Sequence, residues 1–266
     1  MTLGSSTGSG ADRPRLDAIL VRAADGALAE VEVYPDESAL VDGAAGLIAA
    51  HAADAVAAQG RFSIALSGGA TPKPVYERLA TAELDWARVH LFFGDERCVP
   101  PEDPRSNYHM AKAALIDRIP IPPANVHRMR GEDMPEAAAE AYADELMAAL
   151  GPDGRLDLVL LGLGDNGHTA SLFPGLAAAT ETKRTVLASY VEVVGMWRLT
   201  LTPPPINAAG RVVFLAAGAG KADILHRVLE GPLEPAVLPA QAIRPQERPA
   251  LWLIDAAAAG KLEARR

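Results

Sequence analysis

Three stretches of this chain combine residue types that do chemistry. Between Gly162 and Gly175 runs GLGDNGHTASLFPG, in which three glycines precede one histidine, His168. An imidazole titrates near neutrality, so a histidine held by a glycine-rich loop can act as general base toward water. The alternative is a histidine that caps the next turn. The stretch also satisfies the Gly-x-Gly-x-x-Gly dinucleotide pattern. However, Pro174 leaves little room for the long crossover helix of such a unit, and no strand-ending acid stands at the distance needed for a ribose. A second stretch, Ser67-Gly68-Gly69-Ala70-Thr71-Pro72, joins adjacent glycines to a helix-opening proline. Its backbone approaches a ligand closely, and free N–H groups at a helix start suit a phosphate. It lacks the Gly-Lys-Ser/Thr of a Walker A loop, so a nucleoside triphosphate is not implied. The third, Asp95-Glu96-Arg97, sets three charges after an apolar run. Arg97 either grips an anion or stabilises an oxyanion, unless it forms only a surface ion pair.

Two further cations stand beside apolar segments: Arg198 in WRLTLT, and Lys221 after Gly218-Ala219-Gly220. Both are candidates for holding a phosphate from strand-end regions of one sheet. The other histidines, 51, 90, 109, 127 and 226, show no paired spacing, and Cys98 is the single cysteine. Metal binding is therefore not expected, and no disulfide can form within the chain.

These residues need a scaffold, and the periodicity supplies one. β-rich segments at Ala29 to Tyr34, Phe62 to Leu66, Val89 to Phe93, Leu156 to Leu161, Arg198 to Thr202, Arg211 to Ala216 and Ala250 to Ile254 alternate with helical ones. The helices are expected from about Asp36 to Ala58, from Pro72, and over Asn107 to Ile116, Glu136 to Leu150 and Lys221 to Leu229. Ile64–Leu66, Leu158–Leu161 and Val212–Leu215 are continuously apolar, as parallel strands covered on both faces should be. The expectation is an α/β fold: a doubly wound, mostly parallel sheet flanked by helices on both faces, with ligands at the carboxyl ends of the strands.

A chain of 266 residues suits one large α/β domain. Residues 1–14 are small and polar and read as a disordered tail, and 15–266 as the domain. Gly4 to Gly8 satisfies Gly-x-Ser-x-Gly but has no strand before it or helix after it to form a nucleophile elbow. The net charge is −9 without a Lys/Arg block, which argues against a nucleic-acid partner. No segment reads as long and apolar enough to cross a bilayer, so no membrane partner and a cytoplasmic location are expected.

Taken in order, Ser67-Gly68-Gly69-Ala70-Thr71-Pro72, Phe92-Phe93-Gly94-Asp95-Glu96-Arg97 and the Gly162 to Pro174 stretch resemble the glucosamine-6-phosphate isomerase/6-phosphogluconolactonase family, and its lactonase branch in particular. Ser106-Asn107-Tyr108, Asn125-Val126-His127, Arg198-Leu199-Thr200 and Gly220-Lys221-Ala222 extend the likeness over most of the chain. The deaminases of the same fold typically carry Asp-Glu-Tyr where Arg97 closes this triplet, and Ala-Phe-Asn-Glu-Pro in place of Ala170 to Pro174. One departure stands out: lactonases usually have Asp-Gly-His where this chain has Asn166-Gly167-His168.

The resemblance implies a phosphosugar lactone as substrate, no cofactor, and a monomer or weak homodimer. It further implies catalytic residues His168, Arg97, Asn166 and Asp95, with Ser67, Gly68, Gly69, Thr71, Arg198 and Lys221 binding substrate and its phosphate. Two rival expectations are a deaminase-like isomerase using Asp95 for proton transfer, and a sugar-phosphate sensor in which Asn166 marks a lost catalytic group.

Overall fold

The computed structural model describes residues 17–22, 26, 28–151 and 154–263. The 1–14 segment and its Gly-x-Ser-x-Gly match lie outside them. Ten strands run in chain order: β1 (Asp17–Arg22), β2 (Leu28–Tyr34), β3 (Phe62–Leu66), β4 (Val89–Phe93), β5 (Asp95–Arg97), β6 (Leu158–Gly162), β7 (Val186–Val191), β8 (Met196–Leu201), β9 (Arg211–Ala216) and β10 (Leu251–Asp255). The helices are α1 (Glu37–Gln59), α2 (Pro72–Leu79), α3 (Asn107–Ala114), α4 (Pro135–Leu150), α5 (Pro203–Ala208) and α6 (Ala222–Leu229).

Among the described residues the strands form two sheets. The larger has the order β1-β2-β10-β9-β6-β3-β4. All its pairings are parallel except the edge hairpin β1–β2. Its central strands are buried throughout β3 and β9, which accounts for their unbroken apolar runs. From β3 the chain passes through α2 to β4 on one side, then returns to β6 on the other. The strand order therefore reverses between β3 and β6, and the crevice at their carboxyl ends is where such a sheet receives a ligand.

The second sheet, β5-β8-β7, is antiparallel and corrects the expectation that Arg198 and Lys221 flank one sheet. Arg198 lies on β8, whereas Lys221 follows β9 of the large sheet. Asp95 to Arg97, read from sequence as a strand-end loop, form the short strand β5. Only Gly94 separates β4 from β5, and its peptide joins the sheets: its N–H donates to Leu66 O and its carbonyl accepts from Leu201 N, each at 2.8 Å.

α1 corrects another expectation, because by length and composition it could cross a bilayer. Its apolarity comes from repeated alanine, so it shows no run of large side chains. Leu40, Leu47, Ile48 and Ala52 are buried, and the helix packs on α2, β2, β3 and β10. Asp36 caps it by accepting the Ala39 N–H at 2.8 Å, and Gly60 ends it with a left-handed backbone, φ 80°.

Candidate active site

The carboxyl ends of β3 and β6 open into a cleft of about 300 Å³. Ser67, Gly68, Gly69, Thr71, Asp95, Arg97, His168, Arg198 and Lys221 all line it. Of the residues given catalytic or binding roles from sequence, only Asn166 is absent from the lining, and it binds the His168 ring.

The loop after β3 is fixed by a tyrosine from α2. The buried Tyr76 hydroxyl accepts the Ser67 N–H at 2.8 Å and donates to the Ser67 carbonyl at 2.7 Å. Ser67 therefore offers a ligand its hydroxyl and not its N–H. Gly68 must be glycine, because a Cβ there would stand 1.8 Å from Asn107 Oδ1. The next glycine, Gly69, turns at φ 111°, and the chain enters α2 through Thr71 and Pro72, presenting a helix N-terminus to the cleft.

The loop after β6 positions His168. His168 Nδ1 lies 2.6 Å from Asn166 Oδ1, which also accepts the His168 backbone N–H at 3.2 Å. A backbone N–H can only donate, so that amide atom is the oxygen, Nδ1 carries the ring proton, and Nε2 keeps its lone pair. The ring stacks on Phe173 with centroids 4.2 Å apart. It also lies directly over Gly164, where a Cβ would approach Nδ1 to 2.0 Å. Burial lowers the imidazole pKa below its usual value; Asp95 and Asp165 oppose that shift, and Lys221 and Arg198 reinforce it. The neutral, proton-accepting form is thus favoured.

β5 and β8 supply the charged wall. Arg97 and Arg198 are directly opposed across the antiparallel pair, an arrangement that costs free energy when both are cations. Their Nε atoms are buried without hydrogen-bond partners. Burial and the neighbouring Arg97 depress the Arg198 pKa. Arg97 also donates from Nη1 to the Arg105 carbonyl, and the two crowded guanidinium groups are chemically suited to an anion. Beside them Asp95 is held at both oxygens, by Asn107 Nδ2 at 3.0 Å and Ser171 Oγ at 2.6 Å. Glu96 accepts the N–H groups of Arg97, Asn107 and Tyr108 and the Ser106 hydroxyl. It thereby pins the start of α3 so that Asn107 reaches Asp95. Burial raises the Glu96 pKa and these four bonds oppose it. On the open side, Lys221 Nζ meets Asp165 at 2.5 Å, which holds that carboxyl below its ordinary range.

Tyr76, Asn107 and Ser171 were not assigned roles from the sequence. Ser106-Asn107-Tyr108 and Ser171 had signals as parts of motifs, whereas Tyr76 looks like any amphipathic helix residue. Two of the remaining histidines, which show no paired spacing in sequence, meet in the fold. His90 Nδ1 lies 3.1 Å from His127 Nε2, and His127 Nδ1 lies 2.9 Å from Glu145, far apart in sequence but adjacent across the β4 edge.

A histidine with a free ring nitrogen beside two opposed arginines and a glycine-rich helix-opening loop, at the reversal point of a doubly wound sheet, defines an α/β protein whose cleft is chemically suited to a small anionic ligand. The chain belongs to the family of glucosamine-6-phosphate isomerases/6-phosphogluconolactonase, whose model matches residues 35–252. It is 43% identical to a 6-phosphogluconolactonase of Nostoc sp. over 237 residues, which is 87% of this chain and 98% of that one. The solved structure of a 6-phosphogluconolactonase from Trypanosoma brucei is similar at a TM-score of 0.77 and 32% identity, covering 87% of this chain and 98% of the other. A monomeric glucosamine-6-phosphate deaminase shares the fold at a TM-score of 0.75 and 23% identity, covering 87% of this chain and 99% of its own.

Proposed function

We propose that this protein hydrolyses 6-phospho-D-glucono-1,5-lactone to 6-phosphogluconate, a step of the oxidative pentose phosphate pathway. The observation that carries the reading is the His168 ring, with Nδ1 fixed as donor to Asn166 and Nε2 left to accept a proton beside Arg97 and Arg198, whose buried Nε groups lack hydrogen-bond partners. The relatives named above, matched over almost their whole length, support the choice of lactone over amino sugar. Arg97 at the end of β5 supports it as well.

In this reading the Ser67 hydroxyl, Gly68, Gly69, Thr71, Arg198 and Lys221 hold the 6-phosphate. His168 Nε2 takes a proton from water as the water oxygen bonds to C1, and the carbonyl electron pair moves onto oxygen, where Arg97 stabilises it. The tetrahedral intermediate collapses, the C1–O5 bond breaks with its pair going to O5, and the imidazolium returns its proton there. The new carboxylic acid then loses a proton to solvent. Water and this chain's side chains carry each step, with neither metal nor organic cofactor. The same reading extends to a cytoplasmic monomer or weak homodimer whose partner is the small phosphosugar, with no nucleic acid and no membrane. The net charge of −9 supports the exclusion of nucleic acid.

The test follows disappearance of the lactone, generated in situ, with wild-type protein, with His168→Ala and without protein, because the ring also opens spontaneously. Acceleration by wild type alone is expected. Equal rates in all three refute the reading, and ammonia release from glucosamine 6-phosphate would replace it with the deaminase.

A further inference from the structure

The lactonase reading leaves the imidazolium formed at His168 without a charged partner on its own loop. Its Nδ1 partner is the neutral amide of Asn166, which orients the ring but cannot balance a positive charge as a carboxylate does. Among the described residues, the charges that act on this ring are Asp95 and Asp165 on the negative side and Lys221 and Arg198 on the positive side. Asp165 is a weak candidate, since its side chain is 88% exposed and tied to Lys221. Solvent screens such a charge and the lysine cancels it.

Asp95 differs on each count. It is 6% exposed and lines the same cleft as His168. It is also clamped at both oxygens by Asn107 and Ser171, the second of which belongs to the His168 loop. Between His168 and Ser171 the chain turns through Ala170 at φ 47°, a left-handed backbone that L residues rarely adopt. Just beyond that turn the Ser171 hydroxyl bonds Asp95, so the carboxylate is tied to the loop that carries the imidazole.

We propose that Asp95, acting across the cleft as a positioning residue, supplies the negative charge that stabilises protonated His168, the part a carboxylate at position 166 would otherwise play. The proposal rests on the lactonase reading for its catalytic consequence. The coupling of the two side chains is measurable without substrate.

The experiment titrates the His168 ring by NMR in wild type, Asp95→Asn, Asn166→Asp and the double variant, and measures lactonase kinetics for the same four proteins. Asparagine at 95 keeps the shape, and the Ser171 hydroxyl can rotate to accept from the new amide, so the fold is retained. Asp95→Asn is expected to lower the His168 pKa by about one unit and kcat by about tenfold, one unit being a tenfold change in the ionisation equilibrium. Asn166→Asp is expected to raise the pKa and to shrink the kinetic cost of Asp95→Asn to about threefold or less, because two carboxylates then share one task. An unchanged His168 titration in Asp95→Asn overturns the proposal. So does an equal kcat loss in both backgrounds. A titration that responds to Asp95→Asn in a wild-type chain that does not accelerate ring opening supports the coupling and refutes the lactonase reading.

Discussion

Gly164→Ala tests the base through space alone. Gly164 does not need a left-handed backbone, so the added methyl acts only by its bulk. Its Cβ would stand 2.0 Å from both Cε1 and Nδ1 of His168, whereas ordinary contact begins near 3.4 Å. The ring must therefore retreat by about 1.4 Å, the difference between those two distances. That movement exceeds what the 2.6 Å bond to Asn166 and the 4.2 Å stack on Phe173 can absorb. A misplacement of about 1 Å at a reacting group costs on the order of a hundredfold in rate, or about 2.7 kcal/mol of barrier. Overpacking of this kind costs stability by about 1 to 3 kcal/mol, which a domain of ordinary stability survives. The assay is steady-state hydrolysis of the lactone with the spontaneous rate subtracted, alongside a thermal melt to show that the variant is folded. The expected result is a kcat about a hundredfold lower with KM within about threefold, since the phosphate contacts lie on other loops. A folded variant whose kcat stays within about twofold of wild type would refute the assignment of His168 as base.

Lys221→Ala should raise KM by about ten- to a hundredfold with kcat nearly retained, the loss of one charge-assisted contact worth about 1.5 to 3 kcal/mol; a fall in kcat at unchanged KM would contradict the phosphate role. Tyr76→Phe removes the hydroxyl that fixes both backbone groups of Ser67, so KM should rise and the melting temperature fall by several degrees. Parallel kinetics with wild type would show that the loop holds its shape without it. Because burial lowers the His168 pKa, kcat/KM should rise with pH through a midpoint below 6.5, the ordinary imidazole value, and then level off. A midpoint above it would place the essential base elsewhere. His90 is also depressed, by burial and then by His127 and Arg61. Its unfolded form binds a proton more readily, so stability present above about pH 6.5 is lost as pH falls below it, and His90→Gln should flatten the fall in melting temperature between pH 7 and 5.

The strands β3, β4 and β9 were readable to the residue because each is a short run dominated by large apolar residues. β7 was not, because Val186–Val191 buries residues in an irregular order with no period-two pattern to read. β5 escaped because three charged residues do not look like a strand; only pairing with β8 makes them one. The cleft residues were legible one loop at a time, as chemistry beside strand ends. Their mutual relations were not. That Arg97 opposes Arg198, that Asn107 fills the space left by Gly68, and that His90 meets His127 are facts of register and packing, which local sequence does not encode.

The Gly94 peptide, bonded to β3 on one side and β8 on the other, makes the separation between the anion-binding loop and the arginine wall a matter of covalent dimensions. Sliding one sheet along the other would break both of these bonds, so the amide resists that mode of opening. The width of the cleft between the two sheets is in that respect set when the chain folds, as a fixed gauge and not as a jaw.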